Sequence, residues 1–408
     1  MPASDVDVVV AGGGAAGLLA AAAAAARGRR TVLLEKNERP GLKILISGGG
    51  RCNVTTTRSG RDLELQYGER RGRFLRHAMH MLPPTAVVEH FHRLGVPLRE
   101  EDLEKLFPVS QKARDVLEAL LRDAAAAGAE VRTSSPLTGV RREGDRFLVA
   151  TPRGEVRAAS LVLATGGLSY PKTGATGDGY RFATAFGHTI TACVPALAPL
   201  LVDDAWVRSL QGIVLHGVEL AVLDDGGRVV NRRTRPILFT HKGLSGPAPM
   251  DLAGDVEERG GAELRFDFAP LQSEESLQHT WLETARVHGR RHSGALLPDY
   301  LPERLRVVLC ELAGCRETTL ANLDRSARQR LLLVVKNLRL RVRRSLGFDH
   351  AEVTRGGVAL DEVDPRSMQS RKQAGLFLCG EILDVDGPIG GFNFQAAFAT
   401  GRLAGTNA

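Results

Sequence analysis

Gly12, Gly14 and Gly17 stand at G-x-G-x-x-G spacing in the stretch VVVAGGGAAGLLAAAAAAARG, and Glu35 follows at the end of the next apolar run. This pattern handles phosphate with backbone rather than side chains. The first glycine makes a tight turn, the second lets the chain approach a pyrophosphate, and the third lets a helix pack on a strand. The helix N-terminus then offers free N–H groups and partial positive charge to the anion. An acid placed as Glu35 is suits the ribose hydroxyls of an adenine dinucleotide.

The elements around these residues must be a strand, a turn, a helix and a second strand. Val6 to Ala11 reads as a short buried strand, Ala15 to Ala26 as a helix of strong helix formers, and Thr31 to Leu34 as the next strand. Hydrophobicity alone would also allow Val8 to Ala26 to be a membrane span or a secretion signal. Both readings fail on detail. Asp5 and Asp7 precede the run and the basic residues follow it, the reverse of a secretion signal, and three consecutive glycines are costly inside a helix.

At 408 residues, with 43% hydrophobic content, the chain is expected to form two or three domains with ample core. No other segment is long and apolar enough to span a membrane. Its five cysteines, Cys52, Cys193, Cys310, Cys315 and Cys379, are odd in number and lack CxxC spacing. That usage points to a reducing cytoplasm, with neither a disulfide framework nor a zinc site. A net charge of +7 raises the question of an anionic partner.

A second glycine cluster, GLKILISGGGRCNVT from Gly41 to Thr55, follows the second strand and can lie flat against a cofactor. Ser160 to Ala164 reads as another buried strand running into Thr165, Gly166 and Gly167, whose small size permits the same close approach. Near the C-terminus the strand Leu376 to Cys379 leads into Gly380 and Glu381, and Gly390–Gly391 open a helix containing Asn393 and Gln395. A helix N-terminus there can stabilise negative charge on a bound cofactor.

Together with KLFPVSQKARDVLEALL (Lys105 to Leu121), LATGGLSYPKTGATGDGYRFATAFGH (Leu163 to His188), LFTHKGLSGP (Leu238 to Pro247), GGVALDEVDPRSMQS (Gly356 to Ser370) and LFLCGEILDVDGPIGGFNFQAAFATG (Leu376 to Gly401), these stretches resemble the HI0933-like flavoproteins over essentially the whole chain. These are bacterial FAD-dependent oxidoreductases, also described as NAD(P)/FAD-dependent or aminoacetone-oxidase-like. The resemblance implies an α/β protein whose Rossmann-like FAD-binding domain is discontinuous, at 1–188 and 356–408. An inserted β-barrel-like domain would occupy 189–268 and 338–355, and a small helical domain 269–337. Asp224 to Gly227 marks a turn between strands, and Ser326 with Gln329 a capping-box helix start.

The cofactor residues that motif and resemblance imply form four groups. The first holds Gly12, Gly14, Ala15, Ala16, Gly17, Glu35 and Lys36. The second holds Lys43, Ser47, Gly48, Gly49, Gly50, Arg51, Cys52 and Asn53. Thr165, Gly166, Gly167 and Asp178 make the third, and Gly380, Glu381, Asp384, Gly390, Gly391, Phe392, Asn393 and Phe394 the fourth. By resemblance, Glu381 and Asp384 lie beside the ribityl and pyrophosphate, Gly391 to Phe394 beside the flavin ring, and Cys52 near the isoalloxazine. Packing in the core is the alternative for Phe392, Phe394 and Phe398.

Cys52 and His241 are the catalytic candidates. A thiol near the ring can protonate a substrate carbon or merely fill space; a histidine titrates near neutrality or makes a structural hydrogen bond. No second strand–GxGxxG–helix unit appears, so NAD(P)H would act as a transient reductant meeting the flavin directly, or the electrons would come from the substrate itself. Neither a metal-ligand cluster nor a GxSxG elbow is present, and the flavin carries the chemistry.

From Arg325 to Arg344 the chain holds seven arginines, one lysine and no acid. Arg339, Arg341 and Arg343 alternate with Leu338, Leu340 and Val342, so they share one strand face. With Arg344 they suit phosphate, and this face and Arg355 depart from the family's usual text. RNA is one reading of this strip; solubility or oligomer contacts are the others, and the oligomeric state itself is not indicated. Three functions stay open. The protein transfers hydride between flavin and a small conjugated carbonyl or amine, or it reduces a uridine of ribosomal RNA to dihydrouridine, or it binds flavin without turnover.

Overall fold

The computed structural model describes residues 4–408. Contacts divide the chain into two compact units, Met1–Pro195 with Ala351–Ala408, and Ala196–His350. No helix among the described residues is long and apolar enough to cross a membrane.

The first unit is built on a seven-stranded sheet. Its central strand Ser4–Ala11 lies parallel to Thr31–Leu34 on one side and Gly154–Leu163 on the other. Glu130–Arg132 extends the parallel part beyond Thr31–Leu34. A hairpin of Gly139–Glu143 and Arg146–Thr151 adds antiparallel strands beyond Gly154–Leu163. The C-terminal segment returns as Leu376–Leu378, parallel to the last residues of Gly154–Leu163. Both ends of the chain thus build one sheet. Its central strands read as near-continuous apolar runs because both of their faces are buried: Val9, Val10, Leu33, Leu161, Val162 and Leu163 are fully buried.

The first helix, Ala15–Ala26, spans the predicted residues. Against it packs the C-terminal helix Phe392–Asn407 at backbone contact. A Cβ on Gly401 would stand 2.3 Å from the Ala16 carbonyl oxygen, and one on Gly405 would stand 2.0 Å from that of Ala20. Alanine on one helix and glycine on the other set this spacing.

The second unit contains a five-stranded and a four-stranded antiparallel sheet, with helices Glu274–Val287, Glu303–Leu312 and Arg325–Asn337. Asp224 turns the hairpin between Glu219–Leu223 and Val229–Arg233, its carboxylate accepting from the Gly226 and Arg228 N–H groups at 2.9 Å each. The capping box expected at Ser326 does not form. Asp324 caps the helix instead, accepting from the Ala327 N–H at 2.7 Å. A carboxylate is at least as good a cap as a hydroxyl, and Ser326 becomes a helical residue that accepts from Arg330.

The strand Leu338–Val342 has the predicted alternation, with Leu340 and Val342 buried and Arg339 and Arg341 exposed. It pairs antiparallel with Ala262–Asp267. Arg344 departs from this row: Arg344–Ser345 is a strand of the other sheet, paired with Leu200–Leu201. Arg355 is no part of the strip either, being folded into the first unit on Asp386 at 3.0 Å.

Candidate active site

The glycine turn is held by contacts that leave no room for side chains. Gly12 adopts φ +108°, and a Cβ there would meet the Ala164 carbonyl oxygen at 2.4 Å. Gly17 packs on Gly12 so closely that a Cβ would stand 1.9 Å from its carbonyl oxygen. Gly14 is different: a Cβ there meets nothing within 4 Å. It is also the N-cap of the first helix, with no side chain capping the free N–H groups. Ala15 and Ala16 follow in the buried first turn.

Glu35 closes the turn from below. One carboxylate oxygen accepts from the Gly13 N–H and the other from the Asn37 N–H, each at 2.8 Å. A carboxylate oxygen has two lone pairs, so each keeps acceptor capacity for a hydroxyl.

Two ion pairs join predicted cofactor residues that are far apart in sequence. Lys36 pairs with Asp178 at 2.7 Å and donates to Thr176 at 2.6 Å. Lys43 pairs with Glu381 at 2.6 Å and also donates to Ser169. Ser169 donates in turn to the second Glu381 oxygen at 2.6 Å, which the Thr354 N–H also reaches at 2.9 Å. Glu381 is therefore fixed by three elements at once.

Leu42–Gly50 begins as a helix, but Ser47 is extended and Gly48 and Gly49 are left-handed, at φ +55° and +69°. Gly50 follows at φ +84°. Arg51 is committed to structure, pairing with Glu101 at 2.9 Å, donating to Gln111 at 3.0 Å and lying 4.2 Å above the Phe107 ring. Cys52 has the left-handed φ of +62° and is fully buried. Burial pushes its thiol up to about 12, against a hydrogen bond with Ser47 that lowers it. It therefore carries its proton at neutral pH. The Asn53 Oδ1 and the Thr165 Oγ1 are buried with no hydrogen-bond partner. Gly166 adopts φ +75°, and a Cβ on Gly167 would stand 2.5 Å from the Thr354 hydroxyl.

At the other end of the chain, Gly380 packs on Ala16, where a Cβ would approach the Ala16 methyl at 2.7 Å. Asp384 and Asp386 are buried and share Arg71, at 2.9 and 3.1 Å. Gly391 is the left-handed N-cap of the C-terminal helix, and a Cβ there would meet the Thr55 carbonyl oxygen at 2.3 Å; Gly390 precedes it at φ +139°. The Asn393 side chain accepts from the Gly387 N–H and donates to its carbonyl, both at 2.9 Å. Phe392 is buried edge-on to Tyr67, whose hydroxyl donates to the Phe392 carbonyl at 2.7 Å. Phe394 stacks on Phe398. Phe392 and Phe398 are buried, and Phe394 is half-buried.

Ser169, Thr354, Arg71 and Tyr67 were missed from sequence. Ser169 stands just after Gly166 and Gly167 and the other three lie outside the glycine motifs, but each acts on a residue more than 180 positions away. His241 lies exposed in the second unit, at the turn between Ile237–Thr240 and Gly243–Ser245. Among the described residues no group of three or more His, Cys, Asp and Glu side chains is placed to hold a metal ion.

These residues fit FAD. The open space at Gly14, the uncapped helix N-terminus and the spare acceptor capacity of Glu35 address a dinucleotide. The orphaned Asn53 and Thr165 atoms call for a polar partner that the protein itself does not supply.

Residues 6–407 match the family model described as HI0933-like protein Rossmann domain. Ribosomal RNA dihydrouridine synthase of Escherichia coli K12 is 30% identical over 376 residues, covering 91% of this chain and 90% of that protein. The 3-dehydro-bile acid delta(4,6)-reductase of Clostridium scindens is 30% identical over 382 residues, covering 91% of each. Among solved structures, the 3-ketosteroid-delta4-(5alpha)-dehydrogenase of Rhodococcus jostii shares the fold with a TM-score of 0.50, at 17% identity over 99% of this chain and 96% of that one. The 3-ketosteroid delta1-dehydrogenase of Sterolibacterium denitrificans does so with a TM-score of 0.52, at 15% identity over 98% and 99%. The glycine turn, the FAD-compatible site and these matches agree: the chain belongs to the HI0933-like family of FAD-dependent oxidoreductases.

Proposed function

We propose that the protein reduces a uridine of ribosomal RNA to dihydrouridine. The observation that carries this reading is the set of exposed arginines at the end of the strand Leu338–Val342 and just beyond it. Arg341, Arg343 and Arg344 are exposed and make no ion pair among the described residues, while Arg339 shares its charge with Glu263 at 2.9 Å. Exposed, unneutralised guanidinium groups suit a phosphate backbone. A relative named for this activity, covering nine-tenths of the chain, supports the same reading. An RNA substrate would put the protein in the cytoplasm.

The double bond of uracil is conjugated with a carbonyl, so hydride adds at the far carbon and a proton at the near one. When bound, FAD supplies the hydride, and NAD(P)H would serve as its transient reductant. The protein's part is to hold and orient. The Gly12–Gly17 turn and the first helix's N-terminus hold pyrophosphate, Glu35 the ribose, and the Lys43–Glu381–Ser169 cluster fixes the segment that runs along the cofactor. Cys52, sealed and hydrogen-bonded to Ser47, keeps the glycine loop closed.

Mass spectrometry of ribosomal RNA from wild-type and deletion strains tests the proposal. Loss of one dihydrouridine, restored by the wild-type gene and not by a Gly14→Val variant, is the expected result. Unchanged dihydrouridine in the deletion strain would overturn it. A second reading, reduction of a small conjugated ketone, is favoured by the bile acid reductase at the same identity. In that case a dienone steroid, and not RNA, would reoxidise the reduced enzyme without oxygen.

A further inference from the structure

The helix Glu303–Leu312 ends in a tight turn. Gly314 is left-handed at φ +67°, its N–H donates to the Glu311 carbonyl at 2.9 Å, and the Cys315 N–H donates to the Cys310 carbonyl at 2.9 Å. This double hydrogen bond is the Schellman motif, which presses together the side chains at its two ends. An apolar pair usually fills those places. Here they are Cys310 and Cys315, both buried, with their thiols hydrogen-bonded to each other.

The surroundings treat the two sulfurs unequally. The hydrogen bond from Cys310 holds the Cys315 thiol below its usual range, helped by Ser293 and by the positive charge of Arg330. The same hydrogen bond holds Cys310 up. Arg330 is anchored beside them, donating to the Ala313 carbonyl at 3.0 Å, and the Ser293 hydroxyl donates to the Cys315 carbonyl at 2.7 Å. The pair thus favours the thiolate at Cys315 over that at Cys310. That is the arrangement of an attacking and a resolving cysteine.

We propose that Cys310 and Cys315 form a redox-active dithiol that closes to an intramolecular disulfide on reaction with hydrogen peroxide. The Cys315 thiolate attacks one peroxide oxygen, forming a sulfenic acid and releasing hydroxide. Cys310 then attacks the Cys315 sulfur; the S–O bond breaks, the S–S bond forms, and the Cys310 proton leaves with the oxygen as water. Two sulfurs lose two electrons in all, and one peroxide becomes two waters.

Thiol titration of the denatured full-length protein before and after peroxide is the test. Five thiols should fall to three, with a mass loss of about 2 Da and a peptide linking residues 310 and 315; dithiothreitol should restore five. In Cys310→Ser the reaction should stop at a Cys315 sulfenic acid that dimedone traps, and Cys315→Ser should lose the fast phase. Retention of five thiols, or a disulfide mapped to any other pair, overturns the proposal. Peptide mapping of the wild-type protein decides the matter even if neither variant folds.

Discussion

Replacing Arg341, Arg343 and Arg344 together by glutamine should flatten the salt dependence of RNA binding by a calculable amount. All three are exposed, and no carboxylate pairs with them among the described residues. Each phosphate neutralised on a single strand contributes about 0.7 to the slope of log affinity against log salt, so three arginines account for about 2.1. Between roughly 50 and 200 mM salt, that difference in slope is about an 18-fold difference in affinity. Arg339 should matter less, because Glu263 already neutralises it at 2.9 Å. The converse change sharpens the test: Glu263→Gln frees Arg339 and should steepen the slope by up to about 0.7. Fluorescence anisotropy with a labelled ribosomal RNA fragment over a salt series measures both. Flavin absorbance and melting temperature should stay at wild-type values, since the substituted side chains stand in solvent. An unchanged slope in the triple variant, or a flatter one in Glu263→Gln, would refute the assignment of this surface to phosphate.

Gly14→Val should fold yet lose FAD, because a Cβ there meets no protein atom within 4 Å while occupying the space left for pyrophosphate; apoprotein melting temperature and flavin absorbance separate the two effects. Gly405→Val should instead fail to fold, its Cβ standing 2.0 Å from the Ala20 carbonyl oxygen. Burial holds His188 below the usual histidine range while its ring bonds to Glu362 at 3.1 Å and Ser370 at 2.7 Å. Its folded value lies under the unfolded value of about 6.5, so its contribution is complete above that pH and is lost as pH falls through it, by up to about 1.4 kcal/mol per unit. Urea unfolding at several pH values should show that slope shrink in His188→Gln, and an identical slope would count against the burial argument. Asp324→Ala should cost about 1 kcal/mol by urea unfolding and Ser326→Ala almost nothing; the reverse order would restore the capping box.

How much of this was legible follows from what each feature is made of. The cofactor turn consists of backbone, and backbone constraints are written locally. Glycine at 12 and 17 is required by contacts of 2.4 and 1.9 Å, and the strand–turn–helix around them is read from neighbouring residues alone. The end of the helix Glu303–Leu312 is written as locally, by Gly314, yet its consequence was missed: without CxxC spacing, Cys310 and Cys315 look scattered until the turn is built. The capping error at Ser326 is of another kind. Asp324 and Ser326 are both good caps two residues apart, and local preference does not choose between them.

Side-chain partnerships across the fold obey a different rule. Lys43 meets Glu381 only because Leu376–Leu378 returns beside Gly154–Leu163 and because the C-terminal helix lies at backbone contact with the first. That second condition rests on Gly401 and Gly405 facing Ala16 and Ala20. In sequence it looks like a run of small residues at each end, with nothing to say that the runs face each other. Once they do, the consequences are forced. Gly380 is drawn onto Ala16, Glu381 beside it is brought to Lys43 and Ser169, and the segment from Asp384 to Gly391 lies over Arg71 and Thr55. The close helix contact is thus what brings two distant glycine motifs together, and a side chain at Gly401 or Gly405 would meet the backbone of the first helix.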